Sequence, residues 1–313
     1  MLLNESAAQL ADEIDANASQ LQVKVSRSAC GARLIDCGVE APGGYDAGLK
    51  LAEVCLAGLG EVELTEVDEE FGCPAVVVRV ENPVVACMAS QYAGWKLTEG
   101  KYFAMGSGPM RAAAGKEAEL FAEIGHLERP TVAVGVIEGK LPPDELVRRI
   151  AADCHVAPKN LTLLVARTAS VAGTLQVVAR SVETALHKLH TLKFDLSRIG
   201  GGIGVAPLPA VAKNDLAAVG RTNDAILYGG KVTLFVGGDS ADLVAVGPQI
   251  PSCASPSFGE PFGVLFERAG YDFYQLDPAL FSPAEVVIFN VEKKSRDTFG
   301  AVRPDIFARS ADA

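Results

Sequence analysis

Arg180 and Glu183 stand three residues apart in TASVAGTLQVVARSVETALHKLH, residues 168–190, where a glycine-bearing turn runs into a long helical pattern. At 3.6 residues per turn, Val171, Leu175, Val178, Val182, Leu186 and Leu189 make one apolar stripe, with the two charges adjacent on the opposite face. Taken alone, that spacing describes a solvated helix ion pair worth about a few tenths of a kcal/mol. Inside a pocket the same residues could do acid–base chemistry. Burial disfavours an ionised carboxylate and a close guanidinium favours it, so Arg180 could keep Glu183 charged and available as a general base.

Other reactive residue types offer less. Ser107 in MGSGP invites a nucleophile reading, but a nucleophile elbow needs glycine two before and two after the serine, where this chain has Met105 and Pro109. A plain turn, or one whose backbone cradles an anion at the next helix start, fits better. Neither GGYDAG nor GGIG meets G-x-G-x-x-G, and no stretch reads G-x-x-x-x-G-K-[ST], so a nucleotide fingerprint is absent. His126, His155, His187 and His190 do not assemble into a catalytic set, although His187 lies one turn beyond Glu183. Tyr92 and Trp95 in SQYAGW suit either a flat ring or a core gap. The seven cysteines are odd in number, lack C-x-x-C and have no zinc-like spacing, so reduced core thiols and no bound metal are expected.

The elements that must hold these residues read as α/β. With 313 residues, 49% apolar and 21% charged, the chain suits two domains or one large one. A net charge of −11 excludes the clustered cations of a nucleic-acid footprint. The acidic start lacks a signal peptide's basic and apolar runs, and no window of about 18 apolar residues predicts a membrane span, so a soluble cytoplasmic protein is expected. A helix capped by Asn4 runs to Ala18, and two strands around 21–25 and 32–36 form a hairpin. A helix from about Asp46 returns as a strand at 62–67, another strand covers 74–80, and Asn82-Pro83 opens a helix through Tyr92. FAMGSGPMR, 103–111, reads as a glycine-rich turn. Strands at 131–137 and 160–166 flank a helix opened by Pro142-Pro143-Asp144. GGIGVAPLPAVAKNDLAAVGRTNDAILYGG, 201–230, reads as a long functional loop, followed by strands at KVTLFV and 285–291 and a helix near residue 262. The order of strands and helices predicts mixed sheets, with a first α/β domain over 1–125 and a second over 126–313, either free to be discontinuous in sequence.

Several stretches taken together, DCGVEAPGGYDAGLKLAEVCLAGLG (36–60), QYAGW (91–95), YFAMGSGPMRA (102–112), TASVAGTLQVVARSVETALHKL (168–189), GRTNDAILYGG (220–230) and YDFYQLDPALFSPAEVVI (271–288), resemble the methenyltetrahydromethanopterin cyclohydrolases. The resemblance implies an enzyme of one-carbon metabolism with no bound cofactor or metal. It would interconvert the methenyl and formyl forms of tetrahydromethanopterin or its dephospho form, a pterin carrier that is the substrate. It also implies two α/β domains with a wide substrate pocket between them, and a homotrimer. The family's catalytic glutamate and the arginine three residues before it fall on Glu183 and Arg180. Arg111, Arg221 and backbone amides of the glycine turns, Ser107 among them, become candidates for binding the carrier's anionic tail. Thr168, Ser170, Asn223 and Asp224, in matched motifs, become candidates for the pterin edge. The alternative is a non-catalytic pterin-carrier binding protein that kept the pocket.

Overall fold

The computed structural model describes residues 2–239 and 241–310. In chain order its strands are β1 (Lys24–Arg27), β2 (Arg33–Gly38), β3 (Gly60–Asp68), β4 (Cys73–Val80), β5 (Trp95–Glu99), β6 (Tyr102–Ser107), β7 (Ala133–Glu138), β8 (Leu161–Ala166), β9 (Ile199–Pro207), β10 (Lys231–Val236), β11 (Glu285–Asn290) and β12 (Ser295–Gly300). The α-helices are α1 (Leu3–Ala16), α2 (Tyr45–Cys55), α3 (Met110–Ala114), α4 (Ala118–Ile124), α5 (Asp144–Asp153), α6 (Val171–Val178), α7 (Ser181–Thr191), α8 (Asp215–Gly229), α9 (Ala241–Val246), α10 (Phe262–Arg268) and α11 (Pro304–Ser310). A π-helical segment spans Val84–Gln91.

Two compact units divide the chain, and each is discontinuous. The first holds Met1–Glu61 and Val85–Gln176, the second Val62–Val84 and Val177–Ala313. The division expected after residue 125 falls inside the first unit, between β6 and β7, which pair with each other. Each unit owns one mixed six-stranded sheet, as the α/β pattern predicts.

The first sheet runs β1-β2-β8-β7-β6-β5, with β2, β8 and β7 parallel and the rest antiparallel. Its central strands are apolar on both faces because both are covered. Leu34, Leu97, Ile137 and Leu163 pack on one side with Met110 of α3 and Ile150 of α5. Ile35, Val134, Val136 and Leu164 pack on the other with Ile14 of α1 and Leu51 of α2. Asn4 does not cap α1 as expected; it lies buried inside the helix and donates through Nδ2 to the Pro109 carbonyl and the Glu128 carboxylate.

The second sheet runs β12-β11-β10-β9-β4-β3, and of its described pairs only β10 and β11 are parallel. Along β10, Val232, Leu234 and Val236 are buried while Lys231, Thr233 and Phe235 are half-buried, the alternation of a sheet with one covered face. Helices α7 and α8 both lie on β9.

Residues 201–230 are therefore not a loop. Glycine-rich β9 and the long helix α8, capped by Asn214, take most of that stretch. Likewise 103–107 belongs to β6, which leaves Gly108 and Pro109 as the turn into α3. Asn82-Pro83 leads into the π-helical segment rather than an α-helix.

Candidate functional site

Glu183 stands in the first turn of α7, and Arg180 is the residue from which that helix starts. The helical pattern expected to run unbroken is interrupted here. The Arg180 amide donates to the Val177 carbonyl at 3.1 Å, three residues back rather than four. Its backbone, at φ −91° and ψ 11°, sits in the sparse bridge region. The Arg180 carbonyl then accepts both the amide and the hydroxyl of Thr184, each at 2.8 Å, and the helical ladder resumes.

Burial separates this pair from a surface ion pair. Arg180 is 5% exposed and Glu183 6%, so the face opposite the apolar stripe does not look into bulk water. A carboxylate in a first turn lies at the positive end of the helix dipole. The helix carrying it rests on β9 through Ser181 and Val182, where the strand has Gly202 and Gly204 in place of side chains. At its other end, Lys188 Nζ donates to the Ala279 carbonyl at 2.8 Å and ties α7 to the Asp277–Leu280 turn. Burial pulls the Lys188 pKa below its ordinary value, against the opposing pull of Asp277.

In the second unit, Arg221, Asn223 and Asp224 lie on α8. Arg221 is half-buried and donates to the Ala210 carbonyl at 3.3 Å. Asn223 Nδ2 donates to the Val219 carbonyl one turn back, at 2.8 Å. Asp224 is wholly buried, and its Oδ1 accepts the Phe262 amide at 2.8 Å, fastening α10 to α8. Burial pushes its pKa up to about 7, against the stabilising contacts of Ser310, the Phe262 amide and Arg309.

In the first unit, Ser170 caps α6: its hydroxyl accepts the Gly173 amide at 3.0 Å and donates to the Arg167 carbonyl at 2.7 Å. The Thr174 hydroxyl donates to the Thr168 carbonyl at 2.9 Å, closing the same turn. Ser107 is buried at the end of β6, with Oγ 3.5 Å from the Val136 carbonyl and 3.7 Å from Cys55 Sγ. Arg111 is wholly buried. Its Nε and one terminal nitrogen donate to Glu117 Oε1 at 2.7 and 2.5 Å, and the other terminal nitrogen donates to the Met88 and Ser90 carbonyls. Its cation also lies 4.9 Å from the Tyr92 ring centre and 5.5 Å from that of Phe121. That guanidinium is engaged within its own unit by a carboxylate, two carbonyls and two rings. Trp95 packs in the first unit's core.

Asp36, which sequence reasoning passed over, organises the loop of the first matched stretch. Its two oxygens accept the amides of Gly38, Val39, Glu40 and Ala41 at 2.6–3.0 Å. An aspartate just before a glycine-rich turn is the available signal. A groove of about 720 Å³ runs along the other face of β9, past Arg79, Arg198, Ile203 and Phe235, and includes neither Arg180 nor Glu183. Among the described residues no three His, Cys, Asp or Glu side chains gather as a metal's ligands would, and no helix is long and apolar enough to cross a membrane.

Comparison with known proteins extends across the chain. The family described as Cyclohydrolase (MCH) matches residues 2–311. A methenyltetrahydromethanopterin cyclohydrolase from Methanococcoides burtonii is 40% identical over 98% of this chain and 97% of its own. Proteins of the same name from Xanthobacter autotrophicus, 44% identical over 97% of this chain and 90% of theirs, and Methanosarcina mazei, 40% identical over 98% and 97%, match similarly.

Proposed function

The chain belongs to the cyclohydrolase (MCH) family, and from that premise we propose that it reversibly hydrolyses methenyl-tetrahydromethanopterin, or the dephospho carrier, to the formyl form. The observation that carries the reading is a carboxylate at a buried helix start with an arginine as the residue before that helix. The methenyl carrier is a delocalised amidinium cation whose bridging carbon is already electrophilic. It needs a positioned water and a base. Glu183 takes a proton from the attacking water as the carbon–oxygen bond forms, then returns it to the ring nitrogen as the carbon–nitrogen bond breaks. One water is consumed, the proton remaining on the added oxygen is released to solvent as the carbonyl forms, and the cationic ring opens to the neutral formyl product. Proton transfer of this kind contributes about 10² to 10⁴ in rate.

Arg180 orients the carboxylate and keeps it ionised. The negative charge of Glu183 also complements the cationic ring system. Arg221, half-buried on α8, is the better-placed donor for the carrier's anionic tail than Arg111, whose guanidinium is already engaged. Local donors of this kind are needed because a net charge of −11 repels an anionic tail at long range.

The same family reading makes the working form a cytoplasmic homotrimer with the pterin carrier as its small-molecule partner. Half-buried Val77, Ile203, Val205, Phe235 and Phe289 share one face of the second sheet and offer apolar surface for such an assembly.

Loss of methenyl absorbance on mixing with the carrier tests the enzyme reading directly. With Glu183→Gln we expect carrier binding to persist and hydrolysis to fall at least about a hundredfold. Near-normal turnover in that variant removes Glu183 as the base. Carrier binding without turnover in the native protein would instead favour a binding protein.

A further inference from the structure

The run Gly200, Gly201, Gly202 and Gly204 on β9 is costly for a strand, since glycine loses more backbone freedom on folding than any other residue and brings no side chain to pack. Backbone conformation does not require it, because none of the four has positive φ. The reason must lie in what stands over each residue, and here the run divides. A β-carbon on Gly200 would meet nothing nearer than 4.0 Å, and one on Gly201 would make ordinary contacts at 3.4 Å and beyond. A β-carbon on Gly202 would come within 2.8 Å of Val182 Cγ1. One on Gly204 would overlap the Ser181 hydroxyl and reach 3.0 Å from Val182 Cγ2. The glycines that must be glycine are those beneath the first turn of α7.

We propose that Gly202 and Gly204 are positioning residues for the reaction: by carrying no side chain they let the start of α7 seat directly on β9, and that seat sets where the Glu183 carboxylate stands. The seat is stiff. Val182 is β-branched and confined to essentially one χ1 rotamer in a helix, so it has no rotamer in which to move aside. Ser181 is wholly buried and its hydroxyl, with no hydrogen-bond partner among the described residues, occupies the volume a side chain at 204 would need. Relief of a clash therefore falls on the seating of the helix start against β9. Glu183 follows Val182 directly, and a misplacement of about 1 Å can cost about 10² in rate.

The proposal rests on Glu183 being the base, and the experiment separates the two. Steady-state kinetics are measured on Gly202→Ala, Val182→Ala, the double variant, Gly200→Ala and Glu183→Gln, with thermal unfolding of each. For Gly202→Ala we expect kcat to fall at least about tenfold with KM within about twofold. Val182→Ala removes both methyls from the contact, so the double variant should recover to within about threefold of Val182→Ala alone. Gly200→Ala, on the same strand but outside the contact, should match the native enzyme. Native kcat in Gly202→Ala, a double variant as impaired as Gly202→Ala, or a change confined to KM overturns the proposal. Should Gly202→Ala not fold, Val182→Ile adds a methyl at the same contact from the helix side. It should lower kcat likewise, and native kcat there also overturns the proposal. An inactive Glu183→Gln beside a fully active Gly202→Ala sinks this proposal alone, whereas an active Glu183→Gln sinks the base assignment beneath it.

Discussion

Two helices start within the 168–191 stretch, and they start in opposite ways. At α6 the chain closes its own end: Ser170 accepts the Gly173 amide and Thr174 ties back to the Thr168 carbonyl. At α7 no side chain among the described residues caps the start, the residue in the cap position is Arg180, and the first turn carries Glu183. A cap from Ser, Thr, Asp or Asn is worth about 1 kcal/mol, and α7 forgoes it. The first start is tied down by its own side chains, and the second carries two charges. Two arginines repeat the contrast. Arg111 is engaged by a carboxylate, two carbonyls and two rings, while Arg180 marks the helix start nearest the proposed base.

That contrast predicts which changes cost the fold and which cost the chemistry. The largest effect on stability belongs to Arg111→Leu. It strands the Glu117 carboxylate and two carbonyls, and should cost about 3 kcal/mol in denaturant unfolding. KM of the folded enzyme should be unchanged, and a large rise would return Arg111 to carrier binding. Arg180→Leu should do the reverse, lowering kcat about tenfold at neutral pH and moving the acid limb of the rate profile to higher pH. Weaker binding with an unmoved profile would make Arg180 a substrate contact instead. Ser170→Ala should cost about 1 kcal/mol in stability with kcat within about twofold. A loss confined to kcat there would erase the distinction between the two starts.

A separate effect concerns pH. In the unfolded chain Asp224 releases its proton near pH 4, while the folded chain holds it to about 7. The folded state therefore loses relative stability as pH rises across that window, with the contribution fully present below it and flat above it. Asp224→Asn keeps an oxygen for the Phe262 amide and should flatten that slope in melts from pH 4 to 8, and an unchanged slope would mean that another group titrates.

Most strands were legible in the sequence because their signals are local. Apolar runs such as LTLLVA and alternations such as KVTLFV declare themselves. The break between α6 and α7 did not, because Ala179-Arg180 contains neither glycine nor proline and the apolar stripe continues through it. Residues 201–230 misled for the converse reason. Glycines usually read as loop, but Gly202 and Gly204 answer to Val182 and Ser181, a tertiary demand that no window of sequence carries. At Arg111 the sequence shows a cation after a glycine turn, but not that Glu117, six residues on, engages it. The resemblance marked Arg180 and Glu183, but their burial on the face opposite the stripe is a property of the fold.

The chain passes between its two units at residues 61/62, 84/85 and 176/177, and this has a consequence for synthesis. As the polypeptide leaves the ribosome, β3 and β4 emerge early, yet β4's other neighbour, β9, is made only after the whole first unit. The first unit can therefore mature while a two-stranded ribbon, with Ala75 to Val80 open for pairing, waits for residues 202–207. A nascent chain stalled near residue 190 would carry that unmatched edge, a natural place for a chaperone to bind or for neighbouring chains to aggregate.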